Sequence, residues 1–307
     1  TAVCHDITHK LGNAAYAMFA ARTDFHIPEK STYCSFGFYH GFMETLVNSG
    51  SDISSASAFC TYVDKQLSRD TPIAVFLCYH GIGHGLTDLH NKSEWGDERA
   101  MTRPALAMCK KISSNPKQLL LCGTGVFDAI SIAYYTNAYG MVMKKDDPLW
   151  LCREQPDEFK EPCYRDLMSA ILWLGGSTLA GAAPYVEKFV LNPYGGVAIR
   201  SVAANSVRFT IHGGTMKPDI SSCRILGRSL HIPCIEGLAL GVTQFGTLGL
   251  EYKGGLDFCF SSVVSSHERE SCVKSVLSYS SERYSHEKFV EICGLAGGIY
   301  GDSCVLQ

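Results

Sequence analysis

The alternation of apolar and polar stretches along the chain predicts helices far more often than strands. Ala105-Leu106-Ala107-Met108-Cys109-Lys110-Lys111-Ile112 reads as a helix closing on a basic pair, and Ser113 to Pro116 after it reads as a turn. Asp147-Pro148-Leu149-Trp150 supplies a helix start ahead of Cys152. Leu167 to Val186 carries no charge, but Gly175, Gly176, Ser177, Thr178, Gly181 and Pro184 interrupt it. That composition predicts a buried helix with its exit rather than a bilayer span. Between Asn192 and Asp219 the pattern changes. Val197-Ala198-Ile199 and Val207-Arg208-Phe209-Thr210-Ile211 are short runs bounded by Gly195-Gly196 and Gly213-Gly214. They predict a β-hairpin-like insertion over 192–219, or a repeat that has lost its cysteines.

A second rhythm is written in cysteines. Cys109 and Cys122 are 13 residues apart, Cys152 and Cys163 are 11, Cys223 and Cys234 are 11, Cys259 and Cys272 are 13, and Cys293 and Cys304 are 11. The second members of the pairs recur at steps of 44, 44, 41, 71, 38 and 32 from Cys34 onward, and all but the 71 step lie in the range of two-helix repeats. Pairing 4–34, 60–78, 109–122, 152–163, 223–234, 259–272 and 293–304 uses every cysteine, although spacing alone does not fix connectivity. The expected fold is therefore all-α: an α-solenoid of about seven or eight disulfide-bridged antiparallel helix pairs, as one domain over 1–307.

Glycines follow the same register. Gly37, Gly81, Gly125 and Gly237 lie three residues after a cysteine, and Gly41, Gly85 and Gly241 lie seven after. Glycines four apart share a helix face, and each costs about 1 kcal/mol relative to Ala inside a helix. Their recurrence predicts close approach between helix backbones.

Composition narrows the setting. Fourteen cysteines argue for an oxidising compartment, extracellular or lumenal, and the start at Thr1 fits a mature secreted chain. Hydrophobic residues at 46% with 19% charged residues exclude a disordered or fibrous chain. A net charge of -3, from 27 basic and 30 acidic residues, disfavours nucleic acid as a partner. Asn91-Lys92-Ser93 is a glycosylation sequon.

The cysteine register also aligns candidate chemistry. Six residues after the cysteine stand His40, His84 and Asp128, and ten after stand Glu44 and Asp88. His5 with His9, His40 with Glu44, His80 with His84, and His84 with Asp88 are all four residues apart, the spacing at which two side chains reach one ion. The metal candidates are His5, His9, His40, His80, His84 and Asp128, within candidate metal-binding repeats over 1–130. Glu44 and Asp88 are the candidate catalytic carboxylates, each a ligand or general base. Imidazole and carboxylate together suit Zn, Fe, Mn or Cu in a one- or two-metal site. The competing reading is that these imidazoles only hydrogen-bond and hold the helices together. Tyr39 and Tyr79 read as core, and His26, His90, His212, His231, His267 and His286 read as surface or capping residues. The sequence carries no phosphate-binding loop, no Gly-x-Ser-x-Gly, no His-Glu-x-x-His and no Cys-x-x-Cys-His.

The elements Cys4 to His9, Tyr39 to Gly41 and His80 to Gly85 resemble a pattern in cysteine-rich α-helical repeat proteins, for which the resemblance implies no activity. The expected architecture is similar to HEAT-like solenoids, among which the deoxyhypusine hydroxylases hold a di-iron centre on repeated helices. The His-Glu dipeptides of those enzymes are absent here. The likeness therefore implies only that a helical solenoid can house two metals. Two functions are expected from these residues. One is a secreted, disulfide-rich helical-repeat protein that binds a transition metal, with hydrolysis or oxygenation as the chemistry the metal would supply. The other is a structural subunit of an extracellular assembly, meeting partners or its own copies through the solenoid surface.

Overall fold

The computed structural model describes residues 2–21, 25–34, 37–50, 53–88, 92–212, 215–297, 300 and 304. The described residues form an all-α protein of sixteen helices and one minimal strand pair. All seven disulfides expected from the cysteine spacing are present, and no cysteine is free. Seven disulfides fit an oxidising environment, extracellular or lumenal. Where the sequence reading has one domain, the chain divides into two compact units, Thr1–Lys144 with Trp150–Leu167 and Lys145–Leu149 with Met168–Gln307.

The first unit contains α1 (Ala2–Ala20), α2 (Gly37–Asn48), α3 (Ile53–Leu67), α4 (Ile73–Asp88), α5 (Glu98–Ile112), α6 (Pro116–Thr136), α7 (Trp150–Arg153) and α8 (Asp157–Asp166). Local chemistry sets the boundaries. Asp97 caps α5 by accepting from the Arg99 and Ala100 amides at 2.9 and 3.0 Å, and Asn115 caps α6 ahead of Pro116. Asn137, in the left-handed conformation, ends α6. Phe42 of α2 stacks on Phe59 of α3 at 3.7 Å, and Phe19 of α1 meets both edge-on, which ties the three helices at one end. α6 is long and apolar enough to cross a membrane, but most of it is buried inside this unit, as in a core helix.

The glycines do what their register predicts. A methyl group on Gly41 would overlap the His9 carbonyl, one on Gly83 that of Cys122, and one on Gly125 that of His80. One on Gly81 would stand 2.7 Å from the Tyr39 carbonyl oxygen. Bare backbone thus lets α1, α2, α4 and α6 pack in succession at short range, and the residues flanking these contacts are the histidines.

The second unit contains α9 (Met168–Leu174), α10 (Leu179–Phe189), α11 (Gly195–Val207), α12 (Ile220–Arg224), α13 (Arg228–Gln244), α14 (Glu251–Phe260), α15 (Ser266–Arg283) and α16 (His286–Ala296). The uncharged run from Leu167 is broken into α9 and α10, as its glycines require. The strand reading of Val197-Ala198-Ile199 is corrected: these residues lie in α11. Ala198 and Ile199 are buried and α11 packs on α13, so tertiary packing overrides strand propensity. Among the described residues only Ile211–His212 and Thr215–Met216 pair as antiparallel strands. α11 packs on α13 through Gly237 and Gly241, which face the Arg200 and Ala204 backbones as Gly37 and Gly41 face those of His5 and His9. In these glycine contacts α11 and α13 pack as α1 and α2 do.

Candidate metal centre

Four helices of the first unit bring their polar residues to one place. His5 and His9 come from α1, His40 and Glu44 from α2, His80 and His84 from α4, and Asp128 from α6. The His40 ring stacks on His84 at 4.2 Å and on His80 at 5.1 Å, and His5 meets His40 edge-on at 5.3 Å. His40, His80 and Asp128 offer ligand atoms that all lie within 4.8 Å of one another. Ligands on one ion stand about 3.4 Å apart in a tetrahedron of 2.1 Å bonds and about 4.2 Å apart when opposite, so small side-chain rotations close this group on a metal. Of the expected site residues, Asp88 ends α4 but its side chain lies outside the described residues, as does Asn91 of the sequon.

Contacts between neighbouring helices join the groups, beyond the four-residue spacing along each helix. The Glu44 carboxylate lies 2.9 Å from His9 Nε2 of α1 through Oε2 and 2.9 Å from His84 Nδ1 of α4 through Oε1. His80 turns the other way, its Nδ1 2.8 Å from Thr124 Oγ1 and its Nε2 3.5 Å from Asp128 Oδ2, both on α6. His5 Nδ1 lies 3.4 Å from the Cys34 carbonyl oxygen. Residues four apart on a helix are close, but here the glycine contacts bring residues of neighbouring helices closer still.

Thr124 fixes the His80 tautomer. Its hydroxyl has one proton, which it donates to the Leu121 carbonyl at 2.6 Å, so it accepts from His80 Nδ1–H. Burial holds His80 below the usual histidine range even with Asp128 beside it, so the ring is uncharged at neutral pH. Its Nε2 then carries a lone pair toward the Asp128 carboxylate at 3.5 Å. Two electron-rich groups facing each other at this distance repel, and a cation between them removes the repulsion. Holding the far ring nitrogen with an outer acceptor is also how metal-ligating histidines are oriented.

The remaining electrostatics follow burial. His40, 1% exposed, is held well below its ordinary value by burial and then by its imidazole neighbours. Burial also lowers His5. Burial opposes ionisation of Glu44, but hydrogen bonds from His84 and His9 outweigh it and hold the carboxyl at about 2. Neutral imidazoles and ionised carboxylates are the metal-binding forms of both groups. With every cysteine in a disulfide, the donors are nitrogen and oxygen only, which suits Zn, Fe, Mn or Cu(II) and removes Cys4, Cys34 and Cys78 as soft ligands.

Sequence reasoning missed three neighbours. Thr124 occupies the same position relative to Cys122 as its partner His80 does relative to Cys78, so the register held the signal. Arg165 and Asp166 have no such register. Burial raises the Asp166 carboxyl to about 7, against the pull of Arg165 and with Asp128 adding to the rise. His231, expected to lack a partner, bonds Glu268 at 2.9 Å in the second unit. Tyr39 is core, as expected, with its hydroxyl 3.0 Å from Ser31 Oγ. Comparison with protein-family models, curated proteins and solved structures finds no match to this chain.

Proposed function

We propose that this is a transition-metal-binding helical-repeat protein of the secretory or periplasmic space, with its centre at His40, His80 and Asp128. The observation that carries the reading is the juxtaposition of the three ligand atoms in a largely buried place, with Thr124 orienting the His80 lone pair toward Asp128.

The second unit supports it by contrast. α13 carries Cys234 and α15 carries Cys272 as α4 carries Cys78, and glycines set the α11–α13 approach as they set α1–α2. Yet the positions of His40, Glu44, His80 and His84 are held there by Leu240, Gln244, Lys274 and Ser278. Glycine-packed, disulfide-bridged helices therefore form without histidines, which weakens the view that the imidazoles serve packing alone. Burying several imidazoles and two carboxylates costs desolvation energy that apolar residues avoid, so their presence calls for a ligand. Such a centre supplies activation of water or of dioxygen, the chemistry of a metal-dependent hydrolase or oxygenase.

Elemental mass spectrometry tests the reading on protein purified from its native source without metal-affinity columns, together with an absorption spectrum. At least one equivalent of Zn, Fe, Mn or Cu is expected in the wild type and its loss in the His40→Ala, His80→Ala double variant. No stoichiometric metal in the wild type would sink the proposal and leave a scaffold protein.

A further inference from the structure

We infer that a second metal ion binds at Glu44 between His9 and His84, beside the first, so that the centre is dinuclear. The inference rests on the reading above that His40, His80 and Asp128 hold an ion.

The number of donors is the first argument. Five imidazoles and two carboxylates converge, and an octahedral ion takes at most about six ligands, usually with water among them. The donors also fall into two nests. His40 and His80 belong with Asp128. Glu44 instead faces His9 through one carboxylate oxygen and His84 through the other. The nests touch where the His40 and His84 rings stack at 4.2 Å.

Each imidazole of the second nest stands at coordination spacing from its own carboxylate oxygen, and an ion there would draw His9 and His84 together around Glu44. Two bonds of about 2.1 Å at a right angle put their donor atoms about 3.0 Å apart. Both nitrogen–oxygen distances at Glu44 are 2.9 Å. Each is a hydrogen bond when a proton lies between the atoms and one edge of a coordination polyhedron when a metal does. Charge completes the case, because Glu44 and Asp128 each bring one carboxylate to the donor set, one to each nest.

The two positions differ in access. His40 and His80 are 1% and 2% exposed, whereas the side chains of His9 and Glu44 are 27% and 18% exposed. The ion at Glu44 therefore lies on the solvent side and keeps positions open to water, while the ion at His80 is enclosed. An exchangeable ion beside an enclosed one is the arrangement in which paired metals activate a bound oxygen ligand.

The test uses the full-length, disulfide-bonded chain, dialysed against chelator and reconstituted with Mn(II) or Co(II) alone, with helicity checked by circular dichroism. Two ions per chain are expected for the wild type, one for Glu44→Gln and one for His9→Gln. With Mn(II), the spin-coupled signal of an ion pair should be replaced by that of an isolated ion in both variants. A wild type holding a single ion, or a Glu44→Gln variant that still holds two, would overturn the second site and leave Glu44 as a residue that only orients His84. A wild type holding none would instead overturn the reading on which this inference stands.

Discussion

Replacing Gly81 with Ala tests whether backbone contact between helices sets the geometry of the centre. The new methyl group would stand 2.7 Å from the Tyr39 carbonyl oxygen and 3.2 Å from the Tyr39 Cβ. Ordinary contact begins near 3.4 Å, so α4 must move away from α2 by about 0.7 Å, because neither helix backbone yields as a side-chain tip would. The His84–Glu44 bond, now 2.9 Å, would stretch to about 3.6 Å, beyond hydrogen-bonding distance. Overpacking costs about 1–3 kcal/mol. Loss of a hydrogen bond to a charged group costs about 1.5–3 kcal/mol. The gain in helix propensity returns about 1 kcal/mol. A net loss of about 3 kcal/mol lowers Tm by on the order of 10 °C for a unit of this size. Gly294→Ala is the control. It lies in α16, a methyl there meets nothing within 4 Å, and it should gain up to about 1 kcal/mol from propensity. Thermal unfolding by circular dichroism and Co(II) titration measure both variants. If Gly81→Ala melts with the wild type and binds metal equally well, the glycine contacts do not hold the centre together.

Three further outcomes follow from the same structure. Glu268 is held well below the usual carboxylate range by Arg224, against the opposing effect of burial, with help from Ser265 and His231. A lowered folded-state pKa stabilises above the unfolded value of 4.5 and loses that contribution as pH falls. Acid melting of the wild type should therefore fall more steeply below about pH 4.5 than that of Glu268→Gln; parallel curves would remove the ion pair from the account. Removing the Cys109–Cys122 bridge, which spans 13 residues, with a pair of Ala substitutions should cost about 3 kcal/mol in denaturant unfolding, while a loss under about 1 kcal/mol would contradict chain-entropy reasoning. Thr124→Val keeps the shape of the side chain but leaves His80 Nδ1 without its acceptor, and should weaken metal affinity about 10–100-fold in a competition titration; unchanged affinity would show that the tautomer is set elsewhere.

Much of this protein is legible in its sequence because the informative features are local. The spacing of Cys109 to Cys122 and of Cys152 to Cys163 spans one turn between helices, so sequence neighbours are also space neighbours, and all seven expected bridges are present. The cysteine register likewise aligned His40, His84 and Asp128, and the structure stacks the two imidazoles at 4.2 Å. The partners within the site were not legible. His40 and Glu44, or His80 and His84, are neighbours on their own helices, yet Glu44 joins His9 to His84 and His80 joins Thr124 to Asp128. Those pairings depend on how far apart the helix axes lie and how each helix is rotated, which the glycine contacts decide only once the helices have docked. The same reason accounts for α11. Val197 to Ile199 favour strand by local preference, and the packing of α11 on α13 makes them helix. Sequence alone thus determined the helical class, the bridges and the set of candidate ligands. Tertiary packing decided which of those ligands meet, because contact between helices is a property of their separation and rotation rather than of spacing along the chain.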